Sequence, residues 1–258
     1  MDRVRGPRPA SGRARSAALL TGLVGLSGLA LAGCHSTSTA APSASSSASP
    51  GLSVPGTHRT TTTYQVSAPV STVVVVGHTG NVTVTGGSGP AVSVTQQAGY
   101  SRTPPTTTHT VSGDTLTVTY SCPTQVVCGV AFTLEVPRSV AVQVSTGAGT
   151  VRLSGLAGSV TAKADVGLIS ATGLTCPSAS LTTNVGAISA SFAAAPTTVQ
   201  ASANVGAITL HVPGTTSYKV TADAHVGKAT VSTLQSPSSA HAITATTDVG
   251  AIVIAPSS

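Results

Sequence analysis

The chain has 258 residues, of which 7% are charged and 2% are aromatic, and it contains no Trp. Its formal net charge of +6 is concentrated in five arginines near the N-terminus; from Cys34 onward seven basic residues face five acidic ones, so this part is close to +2. Because it has neither a basic stripe nor interleaved aromatic side chains, the sequence excludes nucleic acid as a partner. The many small β-branched residues suit a narrow sheet interior.

Residues 1–33 have the pattern of a secretory signal peptide. An arginine-rich start precedes an apolar run from Ala17 to Ala32, which is short for a membrane span. The run ends in Leu31-Ala32-Gly33-Cys34, which resembles the lipobox of bacterial lipoproteins. This resemblance implies cleavage before Cys34 and a lipid on its thiol, so that the protein is extracytoplasmic and anchored to the outer face of the bacterial cell membrane. The alternative is an ordinary secreted protein with a chance cysteine.

Residues 34–63 are rich in Ser, Thr, Ala and Pro. A segment with so few large apolar side chains cannot bury enough surface to fold, so we predict a disordered, flexible tether. The composition also occurs in O-glycosylated stalks. A plain spacer that holds the folded part away from the membrane is the simpler interpretation.

Residues 64–137 are predicted to form the N-terminal β part of the folded domain. Stretches such as 82–85 and 115–120 alternate strictly between apolar and polar residues, and turns with Gly or Pro separate them. The polar, proline-containing segment 96–110 is predicted to be a protruding loop.

Three cysteines follow Cys34, in a chain whose export signal places it where disulfides can form. Cys122 and Cys128 flank a short loop between two predicted strands, which favours a local disulfide between them. A cross-link from either one to Cys176 is the alternative, because connectivity cannot be read from sequence. Three cysteines without clustered histidines make a poor zinc site. We therefore expect no metal and no cofactor.

Residues 138–256 contain a five-residue phrase whose glycine recurs at spacings of 19, 20, 21 and 23 residues. An Asp, Asn or His precedes Val-Gly in each copy, and an Ile or Ala follows two residues after the glycine. Asp and Asn favour turns, and glycine supplies backbone freedom. We therefore predict that each phrase is a corner between two short strands. The predicted turn residues are Asp165, Gly167, Asn184, Gly186, Asn204, Gly206, His225, Gly227, Asp248 and Gly250.

A period near 20 residues is typical of a solenoid, in which each repeat is one coil stacked on the last. The predicted fold class is therefore all-β, a single-stranded β-helix-like solenoid of about six or more coils. In this arrangement the valine of each corner faces inside, and an isoleucine ladder lines the core. Coils stacked in chain order would place Asp165 and Asp248 four coils apart and would end the column at Ile254.

The chain resembles a known family over residues 64–255. The resemblance rests on Gly80-Asn81-Val82-Thr83-Val84, on the stretch 113–118 and on the Val-Gly repeats. They are similar to the bacterial "putative adhesin" domains, a β-solenoid family of unknown function in envelope proteins. The resemblance implies the fold and a surface location, and it brings no catalytic residues. His225 and Lys228 depart from the family pattern, which makes their coil, together with segment 96–110, the candidate recognition region.

The scarcity of carboxylates argues against an enzyme. Glycoside hydrolysis needs two carboxylates in one cleft, whereas the part after Cys34 has only Asp114, Glu135, Asp165, Asp223 and Asp248. A row of Asp and Asn along the corner could bind a cation, but Asn184, Asn204 and His225 leave it too little charge.

We therefore expect a non-enzymatic, lipid-anchored surface protein with an adhesin-like binding or structural role. Its expected partners are the membrane, through Cys34, and a cell-wall glycan or an envelope protein. One alternative is a cryptic polysaccharide-acting enzyme. Another is an envelope-stress or assembly component that binds a membrane partner.

Overall fold

The computed structural model describes residues 58–123 and 127–257. The predicted signal peptide 1–33, the lipidation site Cys34 and the tether as far as residue 57 lie outside these residues. Within them the chain forms 17 β-strands and no helix, which confirms the all-β prediction. None of the described residues accordingly belongs to a helix that could cross a membrane.

The strands are joined mostly by tight turns. In chain order they are β1 His58–Val66, β2 Thr72–Thr79, β3 Val82–Gly87, β4 Val92–Tyr100, β5 Thr106–Ser112, β6 Thr115–Ser121, β7 Cys128–Pro137, β8 Ala141–Ala148, β9 Val151–Ser154, β10 Val160–Val166, β11 Ile169–Leu174, β12 Ser178–Val185, β13 Ile188–Phe192, β14 Thr198–Val205, β15 Ile208–Val212, β16 Lys219–Val231 and β17 Ala242–Pro256.

Two predicted boundaries are wrong. Strand β1 begins at His58, so the folded part starts before the predicted end of the tether at residue 63. The predicted loop 96–110 is largely strand, because its first residues belong to β4 and its last to β5. Both segments carry mostly polar side chains on both faces of the strand, so the side-chain pattern does not identify them as strands. Backbone hydrogen bonds to their ladder partners hold them in place.

Most strands belong to two parallel ladders that meet at a corner. The first ladder has the order β6, β2, β8, β10, β12, β14, β17, β16. The second has the order β7, β3, β9, β11, β13, β15, β17, β16. The long strands β16 and β17 bend through the corner and belong to both. In the described residues these pairings make eight levels, which at about 4.8 Å per level span about 34 Å.

The levels do not follow chain order at either end. Strands β6 and β7 lie outside β2 and β3. At the other end β16 is outermost, and β17 fills the level between β15 and β16. The predicted stacking in chain order is therefore wrong, and Ile254 is fully buried instead of ending the column. The larger inward residues of β17 are covered on both sides, whereas β16 carries mainly Ala at the equivalent positions.

A narrow core runs along the stack between the ladders. Its most regular feature is a row of isoleucines paired in register, which confirms the predicted isoleucine ladder: Ile169, Ile188, Ile208 and Ile252, each at most 1% exposed. The segments that connect successive levels close a third side with larger residues. These include the buried Leu156, Cys176 and Tyr218.

Antiparallel strands cover the end of the stack at β6 and β7, which we call the closed end. Strand β5 pairs with β6, while β4 pairs with both β7 and β1. The Tyr64 ring stacks on His109 with centroids 4.2 Å apart, and Gln96 Nε2 donates to Thr107 Oγ1 at 3.0 Å. Burial raises the pKa of the Tyr64 hydroxyl. These contacts join the antiparallel strands across the end of the core.

Candidate functional site

The predicted turn residues form one column along the corner between the ladders. From level to level the column reads Asp165, Asn184, Asn204, Asp248 and His225. Asn184 Nδ2 donates to Asp165 Oδ1 at 3.1 Å, and His225 Nδ1 lies 3.1 Å from Asp248 Oδ1. Side chains of the column thus link two pairs of neighbouring levels.

The corner glycines allow the levels to stack closely. Their φ angles lie between 146° and 155°, a region that residues with a Cβ rarely adopt. A Cβ on Gly206 would also collide with the carbonyl oxygen of Gly186, and equivalent collisions recur along the column. Glycine is therefore required both by the backbone conformation and by the neighbouring level.

The valines of the corner are exposed, so the prediction that they face inside is wrong. Residues 165–168 lie between buried Ala164 and buried Ile169, and the side chains of Asp165, Val166 and Leu168 are exposed. The result is an apolar ridge beside the Asp and Asn column. Its members are 47–63% exposed: Val166, Val185, Val205, Val249 and Val226.

The outward face of the first ladder carries mainly small hydroxyl side chains and amides in straight rows. One row reads Thr161, Ser180, Gln200, Thr244 and Thr221; the next reads Lys163, Thr182, Ser202, Thr246 and Asp223. Thr246 Oγ1 donates to Ser202 Oγ at 3.3 Å. The rows enclose only a shallow depression of about 160 Å³. This face is therefore flat and regular.

The two levels formed by β17 and β16 hold a charged cluster that the sequence did not predict. His225 Nε2 lies 3.9 Å from Asp223 Oδ2, and His225 Nδ1 lies 3.1 Å from Asp248 Oδ1. The three side chains are 63–67% exposed, and the pairs are ionic only when the imidazole is protonated. The spacing of Asp223 and His225 in the sequence could have indicated their contact. The contact of His225 with Asp248 arises only because β17 lies beside β16.

The described carboxylates do not converge on a cleft. Asp165 and Asp248 are three levels apart in the corner column, closer than predicted but still well separated. Asp114 accepts a hydrogen bond from Ser71 Oγ, and its backbone oxygen accepts from the N–H of Ser71. Among residues 58–123 and 127–257, no group of three or more His, Cys, Asp or Glu could hold a metal ion.

The cysteines divide into a disulfide and a buried thiol. Cys122 and Cys128 are disulfide-bonded, with Cα atoms 5.9 Å apart, and Cys176 is free. Burial raises the pKa of the Cys176 thiol to about 11. Since the thiolate is the reactive form, Cys176 is poorly suited to act as a nucleophile at neutral pH.

No family model matches the sequence, and no curated protein matches it either. The structure is similar to a putative cell adhesion protein from Clostridium sporogenes, at 13% identity and a TM-score of 0.43, over 78% of this chain and 100% of that one. It is also similar to a putative adhesin from Bacteroides fragilis, at 16% identity and a TM-score of 0.43, over 77% and 97%. A putative adhesin from Parabacteroides distasonis matches at 10% identity and a TM-score of 0.30, over 77% and 97%.

Proposed function

We propose that the protein is a non-enzymatic surface module of a bacterial cell envelope, anchored by a lipid on Cys34, whose β-solenoid binds a cell-wall polymer. In this proposal the eight levels of the described residues are the coils of the solenoid. The observation that carries it is the pair of straight rows on the first ladder, which offers a hydroxyl, amide or charged side chain at each of five successive levels.

Such a face suits an extended, hydroxyl-rich ligand. Side chains in one row lie about 4.8 Å apart along the stack, and the two rows are separated by about 7 Å along each strand. The face therefore presents a grid of hydrogen-bond donors and acceptors. Short Ser and Thr side chains lose little rotamer entropy when they are immobilised. Many weak contacts along a glycan strand could then add up to useful affinity.

The position of the carboxylates supports a binding role over catalysis. Asp165 and Asp248 contact neighbours in the corner column, and Asp114 contacts the turn at Ser71. These carboxylates support turns and the stacking of levels. Asp223 and Asp248 lie close together, but both contact His225 at an exposed corner. A glycosidase would instead place two carboxylates in one cleft, on the two sides of a scissile bond.

Co-sedimentation with purified cell-wall sacculi tests the binding proposal. The full chain carrying Cys34→Ser should pellet with sacculi, and Thr182→Lys combined with Thr246→Lys should reduce binding about tenfold or more, because long charged side chains disrupt the flat grid. Thr108→Lys on exposed β5 is the matched control and should bind normally. Equal binding by all three proteins, or none by the parent, would reject the proposal.

Membrane fractionation tests the anchor separately. The parent chain should partition with membranes, because buried acyl chains contribute about 0.8 kcal/mol per methylene, and the Cys34→Ser chain should be released. Retention of Cys34→Ser in the membrane fraction would contradict lipid anchoring without bearing on wall binding.

A further inference from the structure

The end of the stack formed by β16, which we call the bare end, has an uncovered core. Strand β16 pairs with β17 on one side, and within the described residues its other edge has no ladder partner. Its inward residues Val220, Ala222, Ala224 and Val231 are only half-buried, and Ala229 is exposed. The residues beside them in β17 are almost completely buried. Proteins usually protect so long a strand edge.

The backbone groups at this edge can be assigned from the bonds that β16 makes to its neighbour. The Lys219 N–H donates to the His241 carbonyl at 2.8 Å, and the Ser232 N–H donates to the Ile254 carbonyl at 2.9 Å. Backbone groups alternate between the two sides of a strand. Strand β16 has two arms that meet at the corner near Gly227. In the arm before the corner, the N–H and C=O groups of residues 220, 222 and 224 therefore point to the free edge. In the arm after the corner, the N–H and C=O groups of residues 229 and 231 point to the same edge.

The corner makes these two arms complementary to each other. Inward side chains have even numbers before Gly227 and odd numbers after it. A two-fold axis between Val226 and Gly227 would place Ala224 opposite Ala229 of a second copy, and Ala222 opposite Val231 of that copy. All four residues have inward side chains and backbone groups directed to the free edge. Each pair can therefore exchange two hydrogen bonds while it extends the apolar core.

Charges on the outward side fit the same register. Asp223 would lie opposite Thr230 of the second copy and diagonal to Lys228 of that copy. A diagonal neighbour in an antiparallel pair is within reach of a long side chain. The symmetry axis repeats this Asp–Lys contact on the other side of the corner. His225 would face the same Lys228, while its ring remains close to Asp248 of its own chain.

The closed end does not offer a matching surface. Its core residues in β6 and β7 are fully buried, with Tyr64 packed against the core and His109 stacked on the Tyr64 ring. Its edge strands β1 and β5 are separate pieces with no shared corner. Head-to-tail stacking would therefore set a bent edge against two unconnected strands. We infer that the bare end is a self-association surface, at which β16 pairs antiparallel with β16 of a second copy around this two-fold axis.

The first test is the mass of the full chain carrying Cys34→Ser in sedimentation velocity. We expect a dimer, at twice the mass of the chain. Ala222→Pro removes an N–H that points to the free edge and none that bonds to β17, so it should weaken dimerisation about tenfold or more while far-UV circular dichroism stays unchanged. Ala222→Val is the control and should dimerise. A monomeric parent at high micromolar concentration, or dimers of equal strength in all three chains, would overturn the inference.

The second test checks the register by cross-linking. Asp223 and Thr230 of the second copy form a pair without hydrogen bonds, in which the side chains approach most closely. In the Cys34→Ser background, Asp223→Cys combined with Thr230→Cys should therefore give a covalent dimer on oxidation. Within one chain the two positions lie on different arms of the corner, so an internal disulfide is not expected. Each single variant should remain uncross-linked. Cross-linking in the single variants, or a ladder of higher oligomers, would contradict the two-fold arrangement.

Discussion

The two ends of the stack differ in how the apolar core that runs between them is covered. At the closed end the chain adds antiparallel strands, and Tyr64 packs against the apolar core with His109 stacked on its ring. At the bare end the outermost strand carries small inward residues, and it leaves them half-buried. The comparison teaches that an end of a repeat stack is defined by what covers it, since β17, the last of the described strands, is an interior one.

Removal of β17 should have the largest effect, because it deletes an interior level. A chain that stops after His241 exposes Ile208 and Leu210 and deprives β16 of its ladder partner. We expect this chain to lose its cooperative thermal transition in circular dichroism. Deletion of 58–66 removes only the outermost strand of the closed end, and it should lower Tm by roughly 5–10 °C, about 2–3 kcal/mol. A truncated chain that melts like the parent would contradict the observed order of levels.

A carboxylate introduced at an inward position should lower the free energy of unfolding far more in the middle of the stack than at its bare end. Ile208→Asp places a carboxylate among fully buried side chains, and it should cost about 4 kcal/mol or more. Ala229→Asp makes a similar change where the side chain is exposed, so dilute protein should lose no more than about 0.5 kcal/mol. Urea unfolding measures both values. Equal losses would show that the bare end is covered in solution even at low concentration.

Substitution of the corner glycines should also cost more stability in the middle of the stack than at its bare end, but the difference should be smaller. Gly206→Ala should cost about 3 kcal/mol, because the new Cβ meets the Gly186 carbonyl with levels fixed on both sides. At Gly227 the collision is with Gly250, but β16 is outermost and can move away, so Gly227→Ala should cost only about 1–2 kcal/mol. Gly89→Ala, with open space around it, is the control. Thermal denaturation that ranks Gly227→Ala above Gly206→Ala would contradict this explanation.

The ring stack at the closed end can be tested by two changes at one position. Tyr64→Ala removes the stacking on His109 and should cost about 2 kcal/mol, whereas Tyr64→Phe keeps the ring and should cost less than about 0.5 kcal/mol. Chemical denaturation measures the difference. If both variants lose the same amount, the hydroxyl and not the ring closes this end.

The charged cluster should contribute least. Asp248→Asn removes the carboxylate beside His225, but both side chains are mostly exposed. Exposed ion pairs contribute between zero and about 1 kcal/mol, so we expect a loss of no more than about 0.5 kcal/mol in urea unfolding. A loss above about 2 kcal/mol would indicate that the cluster is shielded from solvent.

Sequence reasoning succeeded where the structure is periodic. The corner glycines and the isoleucine ladder follow from a repeat that returns at nearly constant spacing, and both are found in the structure. The exposure of the corner valines was missed because the corner breaks the alternation on which the prediction relied. The start of β1 was missed because a Thr-rich strand depends on its ladder partner for stability rather than on apolar burial.

The order of the levels could not be predicted, because the repeats are nearly equivalent as neighbours. Nothing in the spacing of β14, β16 and β17 indicates which of the later strands lies next to β14. For the same reason, the neighbours of His225 in the candidate recognition region could not be predicted. His225 departs from the repeat in the sequence, but its contact with Asp248 exists only because β17 lies beside β16.

The position of β17 has a consequence for how the chain reaches its native state. Residues 219–231 emerge during synthesis before the strand that must lie beneath them. Until Ala242–Pro256 arrives, β15 and β16 have no neighbour to separate them, and a direct pairing between them would be a kinetic trap. Completion of this region therefore has to wait for β17, so a chaperone that shields residues 208–231 would increase the yield of correctly folded protein.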